Sequence, residues 1–358
     1  MKIAYFGDSG SIHLQKWCIH FRDLGHEIHL ISFNNRPIEG VIFHYINAGE
    51  VNVAGGNWKL LFKFQEVKRI LKKIQPDILH AHYATSYGIT ASLCRFSPLI
   101  ISCWGSDILI SPKKNKIIEL LLKFAFKKAQ IVSVVADHML QHLTDLGVPK
   151  QKQVVLAHGI NTKIFKEIPE IKKIGAFTFI CTRHLEPVYN HEFLINGFAK
   201  HISQFPDSKL LLLSDGSLRN QLTEQCINLG IQDAVQFIGK VSQLAMVEYL
   251  NKSHVFLSLS LSDGDVVSVV EAMSCGCWLI GSDIAANNIW IDEGQNGFLV
   301  NLSDLNSFTQ KMNESREQYE KLIQCSKSIN VVKIQNRGDW FRNMERAHKL
   351  YIELSNRK

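Results

Sequence analysis

Residues 254–276 decide the fold: His254-Val255-Phe256-Leu257-Ser258-Leu259-Ser260-Leu261-Ser262, then Asp263-Gly264-Asp265-Val266-Val267-Ser268-Val269-Val270-Glu271-Ala272-Met273-Ser274-Cys275-Gly276. The first run alternates apolar and small polar residues, as a half-buried strand does, and Asp263-Gly264 supplies the turn chemistry that ends it. A helix follows. Its early turns hold Ser268 and Glu271, so unpaired backbone N–H groups and the positive end of the helix dipole face the same side as Asp263. That arrangement suits a diphosphate. A carboxylate beyond the phosphates can accept both hydroxyls of a ribose, as acidic residues do in other nucleotide folds.

Two acids eight positions apart, with Gly264 between them and Ala-Met-Ser-Cys-Gly after them, resemble the Glu-x7-Glu signature of the family 4 retaining glycosyltransferases; the first acid here is Asp. The resemblance implies an α/β chain of the GT-B fold, two Rossmann-like, doubly wound parallel-sheet domains facing a central cleft. It implies that Glu271 binds the ribose of a nucleotide-sugar donor, while Asp263 and the backbone of Gly264, Asp265, Val266, Val267 and Ser268 hold the donor sugar and its diphosphate. Taken singly, Asp263 would be a turn residue and Glu271 a solvated helix position. The pair with its flanks argues against that.

Working outward, the chain alternates short β-rich runs with helical patterns, the rhythm of a doubly wound parallel sheet. The runs are Lys2 to Phe6, Glu27 to Phe33, Val41 to Ile46, Ile78 to Ala81, Leu99 to Ser102, Ile131 to Val135 and Gln153 to Leu156. After Gly159-Ile160-Asn161 the pattern becomes irregular, and Phe177-Thr178-Phe179-Ile180-Cys181 opens a second cycle, with strands expected near Lys209 to Leu213, Val235 to Ile238, Val255 to Leu259 and Trp278 to Ser282. The expected domains are 1–165, an acceptor-binding half, and 166–335, a nucleotide-sugar-binding half. Residues 336–358 are expected to form a helix that, by the resemblance, crosses back to the first domain.

A length of 358 residues with 46% hydrophobic content supports a substantial core and favours two domains. The start, Met1 to Gly10, is a short buried strand entering a glycine turn, without the apolar region of a signal peptide, and no apolar run is long enough to cross a bilayer. Eight scattered cysteines have no metal-ligand spacing and read as reduced thiols in a cytoplasmic protein. Residues 1–165 carry 20 lysines and arginines against 11 acids, whereas 166–358 carry 20 against 22. The basic half concentrates its charge in Trp58 to Lys73 and Lys113 to Lys128, each expected to form an amphipathic helix. Such helices adsorb to anionic membrane surfaces, although solvated helix faces are the commoner explanation. Nucleic acid is not expected, because no recognition motif accompanies the basic residues.

Further matches extend the resemblance over most of residues 177–300. Arg183, in Cys181-Thr182-Arg183-His184-Leu185, sits where the family carries a phosphate-binding arginine, and Tyr189 falls where its lysine is expected. Asp215-Gly216, Ile238 before Gly239, and Gln295-Asn296-Gly297-Phe298 recur in family order. Gly216 and Gly297 read equally as plain turn glycines. In the first half, Gly10, Ser11 and His13 follow the first strand. His80-Ala81-His82 and Trp104-Gly105-Ser106-Asp107 resemble the family's His-x-His and His-Gly-x-Asp segments. His82, Trp104 and Asp107 are therefore expected on the acceptor side, His80 as a packed core histidine, and Asp107 as the group orienting the acceptor hydroxyl or as a helix N-cap. An indole at Trp104 cannot exchange the proton that a histidine there could.

Together these residues read as a cytoplasmic, metal-independent retaining hexosyltransferase, peripheral on the inner membrane face. The catalytic set is Asp263, Glu271, Arg183 and Asp107, and the donor is UDP-linked rather than GDP-linked. The acceptor is a glycan or lipid-linked hydroxyl in polysaccharide assembly, and no cofactor is expected beyond the nucleotide-sugar cosubstrate. Tyr189, Trp104 and Asp263 also motivate a non-catalytic sugar-nucleotide-binding subunit, and a sugar-nucleotide epimerase of the same fold is a third reading.

Overall fold

The computed structural model describes residues 1–49, 58–173 and 175–356, which divide into two compact units. Unit 1 comprises Met1–His158 and Arg342–Lys358, and unit 2 comprises Gly159–Phe341.

In unit 1 seven short strands form one parallel sheet: β1 Lys2–Phe6, β2 Glu27–Ser32, β3 Ile42–Tyr45, β4 Ile78–His82, β5 Leu99–Cys103, β6 Ile131–Val134 and β7 Gln153–Val155. The order β3-β2-β1-β4-β5-β6-β7 reverses between β1 and β4. β1, β4, β5 and β6 are buried almost throughout, which explains why they read as apolar runs rather than alternating ones. The helices that matter below are α1 (Ile12–Asp23), α2 (Phe64–Ile74), α3 (Ile89–Leu93) and α4 (Lys116–Lys128).

Two expected amphipathic helices are interrupted. Trp58–Lys63 is a 3-10 turn ahead of α2, and the side chain of Trp58 lies outside the described residues. Lys113 and Lys114 end a separate turn, because Asn115 adopts extended backbone and its Oδ1 accepts from the N–H groups of Ile117 at 2.9 Å and Ile118 at 3.4 Å, capping α4.

Unit 2 repeats the scheme with β8 Thr178–Cys181, β9 Lys209–Leu212, β10 Val235–Phe237, β11 Val255–Ser258, β12 Trp278–Ser282 and β13 Gly297–Val300, in the order β10-β9-β8-β11-β12-β13. Alternate strand residues feed two apolar layers. Phe179, Leu210, Leu212, Val255, Leu257, Trp278 and Ile280 pack on one face; Ile180, Leu211, Phe256 and Leu279 pack on the other. Both faces of the sheet are thus covered, as parallel sheets require. Helix α5 (Val267–Ser274) follows β11.

The irregular segment after Gly159 belongs to this unit for a packing reason. Ile160 and Phe165 are buried in its second layer, and Ile160 pairs by backbone with Gly338 and Trp340, at 2.7 and 2.9 Å. The last helix, α6 (Trp340–Ser355), lies in unit 1 from Arg342 onward and buries Met344, Ala347, Tyr351 and Leu354. Tyr351 carries that docking: its hydroxyl is 2.6 Å from His80 Nδ1 and donates to the Tyr5 hydroxyl at 3.3 Å.

β13 is a strand that the sequence reading passed over. Its first residue, Gly297, pairs in register with Leu279, and a Cβ there would lie 2.7 Å from the Leu279 carbonyl oxygen. The glycine serves close approach of two backbones, not a turn.

Candidate active site

The sheet order of unit 2 brings its motif residues together. β8 and β11 are neighbours on either side of the point where the order reverses, and ligand sites in doubly wound sheets form beyond the carboxyl ends of such strands. Arg183 lies two residues past β8, and Asp263 follows β11.

The Arg183 side chain, largely buried, is held from three sides. Nη2 is ion-paired with Asp263 Oδ2, Nη1 donates to Ser268 Oγ at 3.0 Å, and the guanidinium carbon stands 4.2 Å from the centroid of the Tyr189 ring. Its Nε is buried without a hydrogen-bond partner among the described residues. The remaining oxygen of Asp263, Oδ1, accepts from Gly264 N–H at 2.9 Å. Burial raises the Asp263 pKa from its ordinary value, and the neighbouring arginine opposes that rise. Ser268 is the second residue of α5, which no side chain caps, and Glu271 lies three residues further on the same helix face. Val266 is fully buried and Val267 half-buried, so this turn offers backbone rather than side chains.

Asp215 and Ile238 stand past the carboxyl ends of the next strands, β9 and β10. Gly216 is not a plain turn glycine. A Cβ there would sit 2.4 Å from the Leu185 carbonyl oxygen, and Leu185 N–H donates to Asp215 O at 3.2 Å while Leu218 N–H donates to Leu185 O at 3.0 Å. The glycine therefore locks the loop carrying Asp215 onto the loop that follows Arg183. Ile238 N–H is taken by the Leu212 carbonyl at 3.0 Å. Arg219, which sequence reasoning did not single out, donates to Phe237 O at 3.2 Å and lies 3.8 Å from Asp215. Its position at the start of the helix Arg219–Asn228, just after Gly216, was the available signal.

Unit 1 gathers a second cluster past its own reversal point. Gly10 N–H donates to Asp8 Oδ1 at 2.8 Å, Ser11 precedes α1, and His13 is in its first turn. The His13 ring stacks on His158 with centroids 4.1 Å apart, and the Trp104 indole meets His13, His82 and His158 edge-on at 5.9, 5.6 and 5.5 Å. His158 was missed in the sequence; its only signal is its place directly before Gly159-Ile160-Asn161. His82 and His158 are buried, and desolvation keeps both imidazoles neutral well below their ordinary titration range.

Two model families meet these units. Residues 2–136 match "Glycosyl transferase 4-like" and residues 164–330 match "Glycosyl transferases group 1". The chain belongs to the group 1 glycosyltransferases. It is 25% identical to the N-acetyl-alpha-D-glucosaminyl L-malate synthase of Bacillus anthracis, over 78% of this chain and 77% of that one. It is 24% identical to the UDP-Gal:alpha-D-GlcNAc-diphosphoundecaprenol alpha-1,3-galactosyltransferase of Escherichia coli, over 92% and 89%. The solved structure of Anabaena HepE in complex with UDP is similar in fold, with a TM-score of 0.80, 17% identity, and 98% and 99% coverage. The fold is GT-B.

For a group 1 glycosyltransferase, two expectations about the first half change. The Asp107 carboxylate, expected to orient an acceptor hydroxyl or to cap a helix, is held by backbone instead. Asp107 is fully buried, and its carboxylate accepts from the N–H groups of Ala84 at 2.8 Å, Gly105 at 2.9 Å and Trp104 at 3.1 Å. It ties the loop after β5 to the loop after β4, and it caps no helix with its side chain. His82 likewise does not present a ring edge to solvent. It lies beneath Trp104 with neither ring nitrogen bonded among the described residues. His80 is the packed histidine expected, with Nε2 2.6 Å from Ser102 Oγ.

Proposed function

We propose that this glycosyltransferase moves a hexose from a UDP-sugar to a hydroxyl of a glycan or lipid-linked acceptor, with retention at the anomeric carbon and without a metal ion. The carrying observation is the convergence of Arg183, Asp263 and Ser268 at the reversal point of the unit 2 sheet, with Glu271 one turn further along α5.

Each group has a role that its position supports. The cationic Arg183 and the uncapped start of α5 would receive the diphosphate, whose charge grows as the glycosidic bond breaks. Glu271 would take the ribose hydroxyls, Asp263 the sugar hydroxyls, and the Asp215 and Ile238 loops the nucleobase end. The bond from the sugar to the diphosphate breaks, the acceptor oxygen bonds to the same face, and the acceptor proton passes to the leaving phosphate. This route needs no protein base, so the indole at Trp104 is compatible with it. Gly10, Ser11, His13 and Trp104 would hold the acceptor.

UDP is favoured over GDP because the galactosyltransferase relative is described as using UDP-Gal and the HepE structure holds UDP. That relative's acceptor, a sugar on diphosphoundecaprenol, makes a lipid-linked hydroxyl the reading of choice here, at the cytoplasmic face of a membrane. Among the described residues no helix is long and apolar enough to cross it, so the contact proposed is peripheral.

The test is to offer the purified chain UDP-hexoses with a lipid-diphosphate-linked sugar, with and without a chelator, and to read the product's anomeric configuration by NMR. An axial product from an axial donor, unchanged by chelation, supports the reading. An inverted product or a strict metal requirement counts against it. Turnover of the donor alone to a different UDP-sugar would favour the epimerase instead.

A further inference from the structure

Helix α4 carries an apolar stripe on its outside. Ile117, Leu120 and Phe124 are 68, 66 and 42% exposed, while Leu122, Ala125 and Phe126 on the opposite side are buried. The spacing of three and four places the exposed side chains in one row along the helix axis. A helix face that met only water would carry polar residues there; single exposed apolar residues are ordinary, and a row of them is not.

Lysines border that row. Lys113, Lys114, Lys116, Lys123, Lys127 and Lys128 are all exposed, against the single acid Glu119 between 113 and 128. Glu119 is already engaged by Lys116 at 3.1 Å and Lys123 at 2.7 Å. The fold adds what the sequence alone could not. α4 and the Trp58–Lys63 turn are far apart in the chain, yet both pack against α3. The turn contributes Phe62, 70% exposed, with Lys59 exposed beside it. Two basic, apolar segments thus share α3 as a neighbour.

We propose that the exposed face of α4, extended by Phe62, docks unit 1 on an anionic lipid bilayer, with Ile117, Leu120 and Phe124 in the boundary between headgroups and acyl chains and the lysines on the phosphates. Lysine stems can lie along apolar surface while their ammonium groups stay at headgroup level. Each lysine near an anionic surface adds attraction that salt weakens. The occupant is lipid rather than a second copy of this chain, since two copies of such a lysine-rich face would repel each other. The proposal deepens the lipid-linked acceptor reading above, because a transferase held at the bilayer meets an acceptor whose lipid cannot leave it.

The test is co-sedimentation of the full chain with phosphatidylcholine vesicles, with and without phosphatidylglycerol, at low and high salt. We expect binding that needs phosphatidylglycerol and weakens with salt. The triple change Ile117→Ser, Leu120→Ser, Phe124→Ser should weaken it about tenfold or more, and Lys123→Gln, Lys127→Gln, Lys128→Gln should remove the preference for anionic lipid. UDP-induced thermal stabilisation, unchanged in both variants, reports an intact fold. Wild-type binding indifferent to phosphatidylglycerol, or unchanged binding by both variants, overturns the proposal. So does a serine variant that still binds vesicles but loses self-association. Vesicle binding without transfer to a lipid-linked sugar would sink only the acceptor reading, and such transfer without vesicle binding would sink only this one.

Discussion

At the residue scale the unusual position is Tyr189. A second cation is expected there by family pattern, and the structure instead gives Arg183 an aromatic seat. A guanidinium over a tyrosine ring contributes about 0.5–2 kcal/mol, more when it is desolvated as Arg183 is. Tyr189→Ala should therefore weaken UDP binding about threefold to thirtyfold in calorimetry, and Tyr189→Phe, which keeps the ring, should leave it near wild type. Equal losses in the two variants would show that the hydroxyl, not the ring, matters. Asp107 is the contrasting case. Removing a buried carboxylate that satisfies three backbone N–H groups leaves those donors unpaired, at about 1–3 kcal/mol each. Asp107→Ala should lower the free energy of urea unfolding by about 3 kcal/mol or more; a loss of activity with unchanged stability would return Asp107 to the reaction.

At the scale of elements, β4 sets a pH dependence. His80 is buried between Ser102 and Tyr351, and burial holds its pKa down to about 3. A histidine whose folded pKa is depressed is protonated first in the unfolded chain. Stability is then complete above the ordinary imidazole value and falls as pH drops below it, down to the folded value. His80 alone should remove about 2 kcal/mol between pH 7 and pH 5, the interval straddling the ordinary value of about 6.5. His82, held neutral by the same burial, steepens the loss. Urea midpoints measured across that range should fall, and less steeply in His80→Asn; a flat wild-type profile would contradict the assignment.

Elements were also where the sequence was most legible. Fully buried parallel strands announce themselves as apolar runs, and twelve of the thirteen strands among the described residues lie within a residue or two of the expected runs. β13 was missed because its glycine reads locally as a turn, and only the register with Leu279 shows the close approach it serves. The candidate site was legible where chemistry and spacing coincide: Arg183, Asp263 and Ser268, singled out in the sequence, touch one another in the structure. It was not legible at Asp107 and His82, whose roles depend on which backbone groups and rings surround them. No local pattern could have predicted that His158 would stack on His13, since 145 positions separate them in the chain.

At the scale of the whole molecule, two doubly wound sheets each gather polar motif residues past the carboxyl ends of the strands flanking their reversal points, and charge divides between them. The basic excess lies in residues 1–165, which carry the α4 stripe. The acids proposed to hold a nucleotide sugar lie in unit 2, where Arg183 is already neutralised in part by Asp263. A diphosphate bound as proposed would share or displace that ion pair, which would couple donor binding to the Asp263 side chain. On the proposed reading this pair, with α5, forms a nucleoside-diphosphate site. The most direct measurement is the thermal shift of the wild-type chain with UDP, GDP and ADP beside Arg183→Ala and Glu271→Ala, because a ligand that binds only the folded state raises its stability by mass action. We expect a shift with UDP alone, lost in Glu271→Ala and weakened in Arg183→Ala. No shift with any nucleotide, or an undiminished UDP shift in both variants, would contradict it.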